Sequence, residues 1–268
     1  MPKHSDAIPA TAAMSPRLLD AGDAAFTLEF GDAVDPALLA AVNALDGAIA
    51  REQAAGRLPG LIETMPTFRS LTVFYDPLLT GRATLLEALR PLFGDAQQAA
   101  TVEGRRWRLP VCYEGEAGPD LESTARSIGA SVDEVVALHS GTEVRVYMLG
   151  FLPGFPFMGD LPASLRLPRR SEPRVRVPAG SVAIAGGLTA IYPWESPGGW
   201  HLLGRCPVPL FDAGRASPSL LAAGDHVRFD AVSMHEYRRL DAAMKSGDID
   251  PACWQSHSVH TGASEGRR

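Results

Sequence analysis

The residues best suited to chemistry lie close together between positions 139 and 205. Arg174 and Arg176 alternate in PRVRV, so on a strand their guanidinium forks share one face and suit a carboxylate or phosphate. Ion pairing to Glu172 or to another chain is an equal alternative for two exposed arginines. Thr189, Tyr192 and Ser196 supply hydroxyls, while Phe151, Phe155, Phe157 and Trp200 supply an apolar wall. The Gly-bearing stretches GSVAIAGG and SPGGW offer backbone N–H groups that suit an oxyanion nest. His139 falls at the C-terminal end of a predicted helix, where the helix dipole favours a cationic imidazole and a raised pKa. That makes it a candidate proton carrier, with carbonyl capping as the plainer alternative.

These groups need strands and turns to hold them. From Val146 to Asp212 short apolar runs such as VAIAGG and HLLG are each closed by Gly or Pro, which predicts a barrel or sandwich. Earlier, Phe26, Leu28 and Phe30 share one face of a strand. Asp35-Pro36 opens a helix with Leu38, Leu39, Val42, Leu45 and Ile49 as its apolar stripe. LIETMP and FRSLTVFYD read as two strands and TLLEALRPLF as a second helix, so residues 16–95 form a small α+β sandwich. A polar break over 94–104 precedes a barrel domain over 104–232. Within it, 120–128 and 131–138 are short helices, the second opened by a Ser131/Glu134 capping box. Residues 1–15 read as a disordered lead-in, and 233–268 as a short helix with a fraying tail.

Composition narrows the function. The chain has 268 residues, 46% of them hydrophobic and 21% charged, with a net charge of −6. Such a chain can bury a sizeable core, and its charge gives no general support for nucleic-acid binding. There is no continuous apolar leader and no run long enough for a membrane span, which points to the cytoplasm. Three widely spaced cysteines predict neither a disulfide framework nor a zinc site, and Cys206 reads as a small buried hydrophobe. No P-loop, GxSxG elbow or HExxH motif is present, so no metal site and no self-sufficient catalyst is expected.

The block LGFLPGFPFMG, PRRSEPRVRVPAGSVAIAGG, IYPWESPGGWHLLGR and PLFD resembles the B-subunit family of prokaryotic 5-oxoprolinase. This family is also called the KipI or allophanate hydrolase subunit 1 family, and its fold recurs in the carboxyltransferase domain of urea carboxylase. The resemblance covers roughly residues 16 to 232 and implies an α+β N-terminal domain followed by a cyclophilin-like β-barrel. It implies one component of a hetero-oligomeric ATP-dependent 5-oxoprolinase that cleaves 5-oxo-L-proline to L-glutamate. The partners would be proteins like the C and A subunits of that enzyme, with the ATP site shared with them or supplied by them. Two other readings stay open: a KipI-type regulator that inhibits a histidine kinase, and a carboxyltransferase half of a urea carboxylase or allophanate system. For the last, Met244-Lys245 lies in a predicted helix, which argues against biotinylation of this chain.

The residues and the resemblance together nominate a substrate-binding set of Phe151, Phe155, Arg174, Arg176, Ser181, Thr189, Tyr192, Ser196, Gly198, Gly199, Trp200 and Arg205, with His139 as the catalytic candidate. Two positions depart from the family's expected AGGQTGIYP. Leu188 replaces a polar amide, and Ala190 replaces a glycine at a position expected to need positive φ.

Overall fold

The computed structural model describes residues 16–94 and 104–256. The chain divides into two compact units, Met1–Val102 and Glu103–Arg268. In the first, the elements run β1 (Arg17–Asp20), β2 (Ala25–Glu29), α1 (Pro36–Ala54), β3 (Leu61–Pro66), β4 (Ser70–Tyr75) and α2 (Arg82–Leu89). The strands form an antiparallel sheet in the order β1-β2-β4-β3. Helix α1 begins where the sequence predicts, because the Asp35 carboxylate accepts from the Ala37 amide at 2.6 Å and Pro36 needs no partner there. Its buried stripe of Val42, Leu45 and Ile49 joins Phe26, Leu28, Leu71 and Val73 of the sheet in one core.

The second unit contains β5 (Arg106–Cys112), α3 (Leu121–Ile128), α4 (Val132–Gly141), β6 (Val144–Leu149), β7 (Pro156–Gly159), β8 (Arg174–Val177) and β9 (Ser181–Ala185). It continues with β10 (Leu188–Ile191), β11 (Ser196–Gly198), β12 (His201–Arg205), β13 (His226–Val232), α5 (Met234–Ser246) and β14 (Gln255–Ser256). Seven strands in the order β12-β9-β10-β7-β6-β13-β5 close through a β12–β5 pairing at Arg205 and Cys112. The product is the cyclophilin-like barrel, a sheet with no free edge along its wall. Alternation along the strands fills its interior: Trp107, Leu109 and Val111 from β5, Val182 and Ile184 from β9, and Val227 and Phe229 from β13. The capping box opens α4 as expected, with the Ser131 hydroxyl and the Glu134 carboxylate bonding each other's backbone amides.

The tail differs from expectation. Helix α5 is followed by a 3-10 turn over Pro251–Trp254 and by β14, whose Gln255 and Ser256 pair with Trp107 and Arg106. Trp254 packs on the barrel core, so apolar burial and two ladder positions hold a segment that composition alone marks as fraying. The expected lead-in over 1–15, most of the polar break and the tail beyond 256 lie outside the described residues.

Candidate functional site

Strands β9, β10 and β12 carry apolar residues on both faces. One face supplies Val182, Ile184, Ile191 and Leu203 to the barrel interior. The other supplies Ala183, Ala185, Ala190 and Leu202 to a second layer with Phe155, Val177, Tyr192 and Trp200. Phe155 centres this outer layer, with ring centroids 5.5 Å from Phe151, 4.9 Å from Phe157, 5.0 Å from Tyr192 and 6.3 Å from Trp200. Most contacts are edge-to-face, the arrangement aromatic quadrupoles favour. Gly198 is required there, since a Cβ would lie 2.4 Å from the Tyr192 hydroxyl oxygen. Leu188 packs against this layer as an apolar residue. Ala190 sits in a regular strand opposite Ala183, so its backbone needs no positive φ.

The expected anion clamp is not open. Arg174 donates twice to buried Asp120, at 2.8 and 2.6 Å, while Arg170 donates to the same carboxylate at 3.1 Å and the Leu202 amide at 2.8 Å. Burial opposes the charge of Asp120, but Arg174, the Leu202 amide and Arg170 outweigh it and hold the carboxyl below its usual range. Asp120 precedes α3 yet makes no capping bond, because its oxygens are taken by these donors. Arg176 instead pairs with Glu195 on the surface, at 2.8 Å from Nε. The two forks therefore point to different partners, with a register shift between Ser196 and Gly198 in the pairing of β11 with β8. Glu172 contributes only its carbonyl oxygen, 3.4 Å from Arg170 Nε.

His139 corrects a second expectation. It is fully buried and stacks on Phe229, with centroids 4.7 Å apart and planes 4° from parallel. Its Nε2 lies 3.0 Å from Thr189 Oγ1, which itself donates to the Ala183 carbonyl at 3.0 Å. Thr189 must then accept from Nε2–H, leaving Nδ1 to accept from the Tyr113 hydroxyl at 2.8 Å. Burial pushes the imidazole pKa down to about 3, overriding the helix terminus that predicted a cation. The ring is neutral and its bonds are internal. Cys206 is likewise buried, its thiol pushed up to about 12 by desolvation against a weaker opposing bond from the Val208 amide.

Three amides of the GSVAIAGG nest are also engaged. Gly180 N–H donates to the Tyr192 carbonyl at 2.7 Å, Ser181 N–H to Pro178 at 3.2 Å and Gly186 N–H to Leu167 at 2.6 Å. Ser181 and Thr189 are buried, and Gly199 uses its carbonyl to accept from Arg170 N–H at 2.8 Å. Ser196 Oγ is buried without a partner among the described residues. Arg205, whose Nε is buried without a partner among the described residues, lies near Tyr237 beside a cleft of about 300 Å³ lined by Gly180, Tyr192, Cys206, Tyr237 and Lys245. A second, larger cleft of about 780 Å³ lies between the starts of α3 and α4, lined by Tyr113, Glu114, Leu121, Glu122 and Asp133.

What stays open is an arginine and aromatic rim over the outer layer. Arg166 packs along Gly187, and exposed Arg169 is close enough to Tyr192 to oppose the burial that raises its phenol pKa. Neither arginine has an ion-pair partner among the described residues. Phe151 stands at the tip of the 150–155 loop with φ 69° and 65% of its surface exposed. Positive φ is a genuine outlier for a bulky residue. Sequence reasoning did not single out Asp120, Tyr113 or Trp194. Only Trp194 had a local signal, as a second Trp inside the motif block. Among the described residues there is no group of three or more His, Cys, Asp or Glu placed to hold a metal ion, and no helix long and apolar enough to cross a membrane.

A family model described as Carboxyltransferase domain, subdomain C and D, matches residues 16–221, spanning the sheet unit and most of the barrel. That match sets the class, a carboxyltransferase-type chain. Within it, the B subunit of 5-oxoprolinase from Bacillus subtilis (strain 168) is 41% identical over 226 residues, covering 81% of this chain and 92% of that protein. The B subunit of 5-oxoprolinase from Escherichia coli O157:H7 is 44% identical over 174 residues, 64% of this chain and 78% of that protein. The chain belongs to the 5-oxoprolinase B-subunit family. Among solved structures, that of TTHA0988 aligns with a TM-score of 0.69 at 42% identity and covers 78% of this chain. This chain spans only 40% of that longer polypeptide.

Proposed function

We propose that this chain is the B subunit of a cytoplasmic, ATP-dependent 5-oxoprolinase that opens 5-oxo-L-proline to L-glutamate together with C-like and A-like partner proteins. One observation carries the reading: the polar groups expected to form a catalyst are buried or already paired, while Arg166, Arg169 and Phe151 are left on an open rim. Such a rim is half of a site and suits a chain that works only when a partner covers it. A lactam is a poor electrophile, so its hydrolysis at neutral pH benefits from coupling to ATP. The engaged amides of Gly180, Ser181 and Gly186 do not form a phosphate cradle. Nucleotide binding is therefore assigned to a partner protein. Arg169 takes the role first expected of Arg174 and Arg176: a bidentate contact to an anionic group of the substrate.

The test is steady-state glutamate release from 5-oxoproline and ATP by the complex reconstituted with C-like and A-like partners. Arg169→Ala is expected to lower kcat/KM by about tenfold, a loss of roughly 1.4 kcal/mol of transition-state binding, while the chain alone releases no glutamate. A complex that assembles but releases no glutamate refutes the reading and leaves the regulator of a histidine kinase as the function to test.

A further inference from the structure

Strands β5, β6 and β13 lie side by side in the barrel wall, with β13 between the other two. Their inward residues, Trp107, Leu109, Val144, Val146, Val227 and Phe229, belong to the core, so strand alternation turns Arg106, Arg108, Arg145, His226 and Arg228 outward. Register draws these five together. His226 is the strand partner of both Arg145 and Arg106, and Arg228 is the partner of Arg108. An outward basic row thus crosses three strands, on a chain whose net charge is −6.

Part of this charge is already neutralised. Arg106 donates to both Glu143 oxygens at 2.8 and 2.7 Å, and His226 Nδ1 lies 3.2 Å from the same carboxylate. Arg108 pairs with Asp230 at 2.6 Å. Arg145 and Arg228 have no hydrogen bond or ion pair among the described residues, and Arg145 Nε is shielded from solvent without a partner. Asp160 adjoins Gly159, the β7 partner of Arg145, but its carboxylate accepts from the Tyr147 hydroxyl at 2.8 Å.

Two free guanidiniums therefore flank His226. Arg145 sits directly opposite it on β6 and Arg228 two residues further along β13, a diagonal relation that spans roughly 7–8 Å. Like charges so placed repel, and an orphaned charged donor adds a desolvation cost, so folding alone does not favour the arrangement. A bound oxyanion bridging the two forks reverses both effects. The excess is two positive charges at neighbouring register positions, which matches one doubly charged tetrahedral oxyanion. An extended polyanion would instead meet the overall negative charge of the chain. We infer that Arg145, His226 and Arg228 form a binding site for a phosphate dianion, free or carried as a monoester. The site is independent of the reaction proposed above and of its rim, which lies over β9, β10 and β12 on the other arc of the barrel wall.

Thermal unfolding and titration calorimetry of the full chain with sodium phosphate, at an ionic strength held constant with sodium chloride, test the assignment. The Tm should rise with phosphate concentration, as it does for a ligand that binds only the folded state. Arg145→Gln and Arg228→Gln should each weaken the phosphate Kd by about tenfold. Glu143→Gln removes the carboxylate that competes for the same face and should tighten it, so the test stays decisive if an arginine variant folds poorly. Glycerol 3-phosphate separates the two sources: tighter binding than inorganic phosphate identifies an ester, and equal or weaker binding identifies the free anion. The absence of a phosphate-dependent rise at constant ionic strength overturns the site, as does wild-type affinity in both arginine variants. Binding that is lost in Arg169→Gln instead also overturns it, in favour of the rim.

Discussion

The two faces of the β9, β10 and β12 sheet are built from neighbouring residues and have opposite characters. On the inner face Thr189 completes a chain from the Tyr113 hydroxyl through His139 to the Ala183 carbonyl, in which each polar atom is satisfied. On the outer face, one residue to either side, Leu188 and Ala190 meet an aromatic layer whose rim is left open at Phe151 and Arg169. A saturated, buried network specifies a single packing and has nothing left to offer a ligand. Strain and exposure on the other face are features that folding alone does not reward. Titratable residue types therefore marked the stable face, and the open face was marked by a backbone angle.

The largest expected effect is on the inner face. His139→Ala removes the partner of both Tyr113 and Thr189 and the ring stacked on Phe229, and should cost about 4 kcal/mol, read from urea denaturation. Asp120→Ala comes next. It leaves Arg174 and Arg170 facing a vacated carboxylate site and should cost about 3 kcal/mol by the same measurement. A loss as small as that of an exposed ion pair in either variant would break the contrast.

A pH series sharpens it. In the unfolded chain His139 takes up a proton near pH 6.5, whereas in the fold its pKa is about 3. The unfolded state binds the additional proton between those values, so stability is full above pH 6.5 and falls as the pH drops toward 3. From this group alone the loss should reach about 2 kcal/mol by pH 5, and it should vanish in His139→Phe. Asp120, whose carboxyl is held below its usual value of 3.8, contributes stability that is present above that value and is lost as the pH falls below it. The smallest effect belongs to the outer face and has the opposite sign. Phe151→Gly should stabilise the chain by about 0.5 kcal/mol, since relief of the left-handed backbone exceeds the entropy of an added glycine.

Local signals were legible where short-range physics governs. The Asp35-Pro36 start of α1, the Ser131/Glu134 box and the alternation of Phe26 and Leu28 each depend on residues within a turn or a strand of one another, and the fold carries all of them. The motif block identified the family for the same reason: its residues are contiguous. The site was less legible. Arg174 and Arg176 looked like a pair because strand alternation is a local rule, but Asp120, 54 positions earlier, took one of them. His139 looked cationic because a helix end is visible in sequence, whereas Phe229 and Thr189, which enclose it, are brought there only by barrel closure.

By itself, then, the amino-acid order determined the elements, their caps, the two-unit α+β and barrel architecture and the family, since propensity, periodicity and contiguous motifs act over a few residues. Only the tertiary structure decided which charges are consumed, which imidazole stays neutral and which ring is held out in solvent. Those outcomes depend on desolvation and on partners distant in the chain, and both arise when the barrel closes.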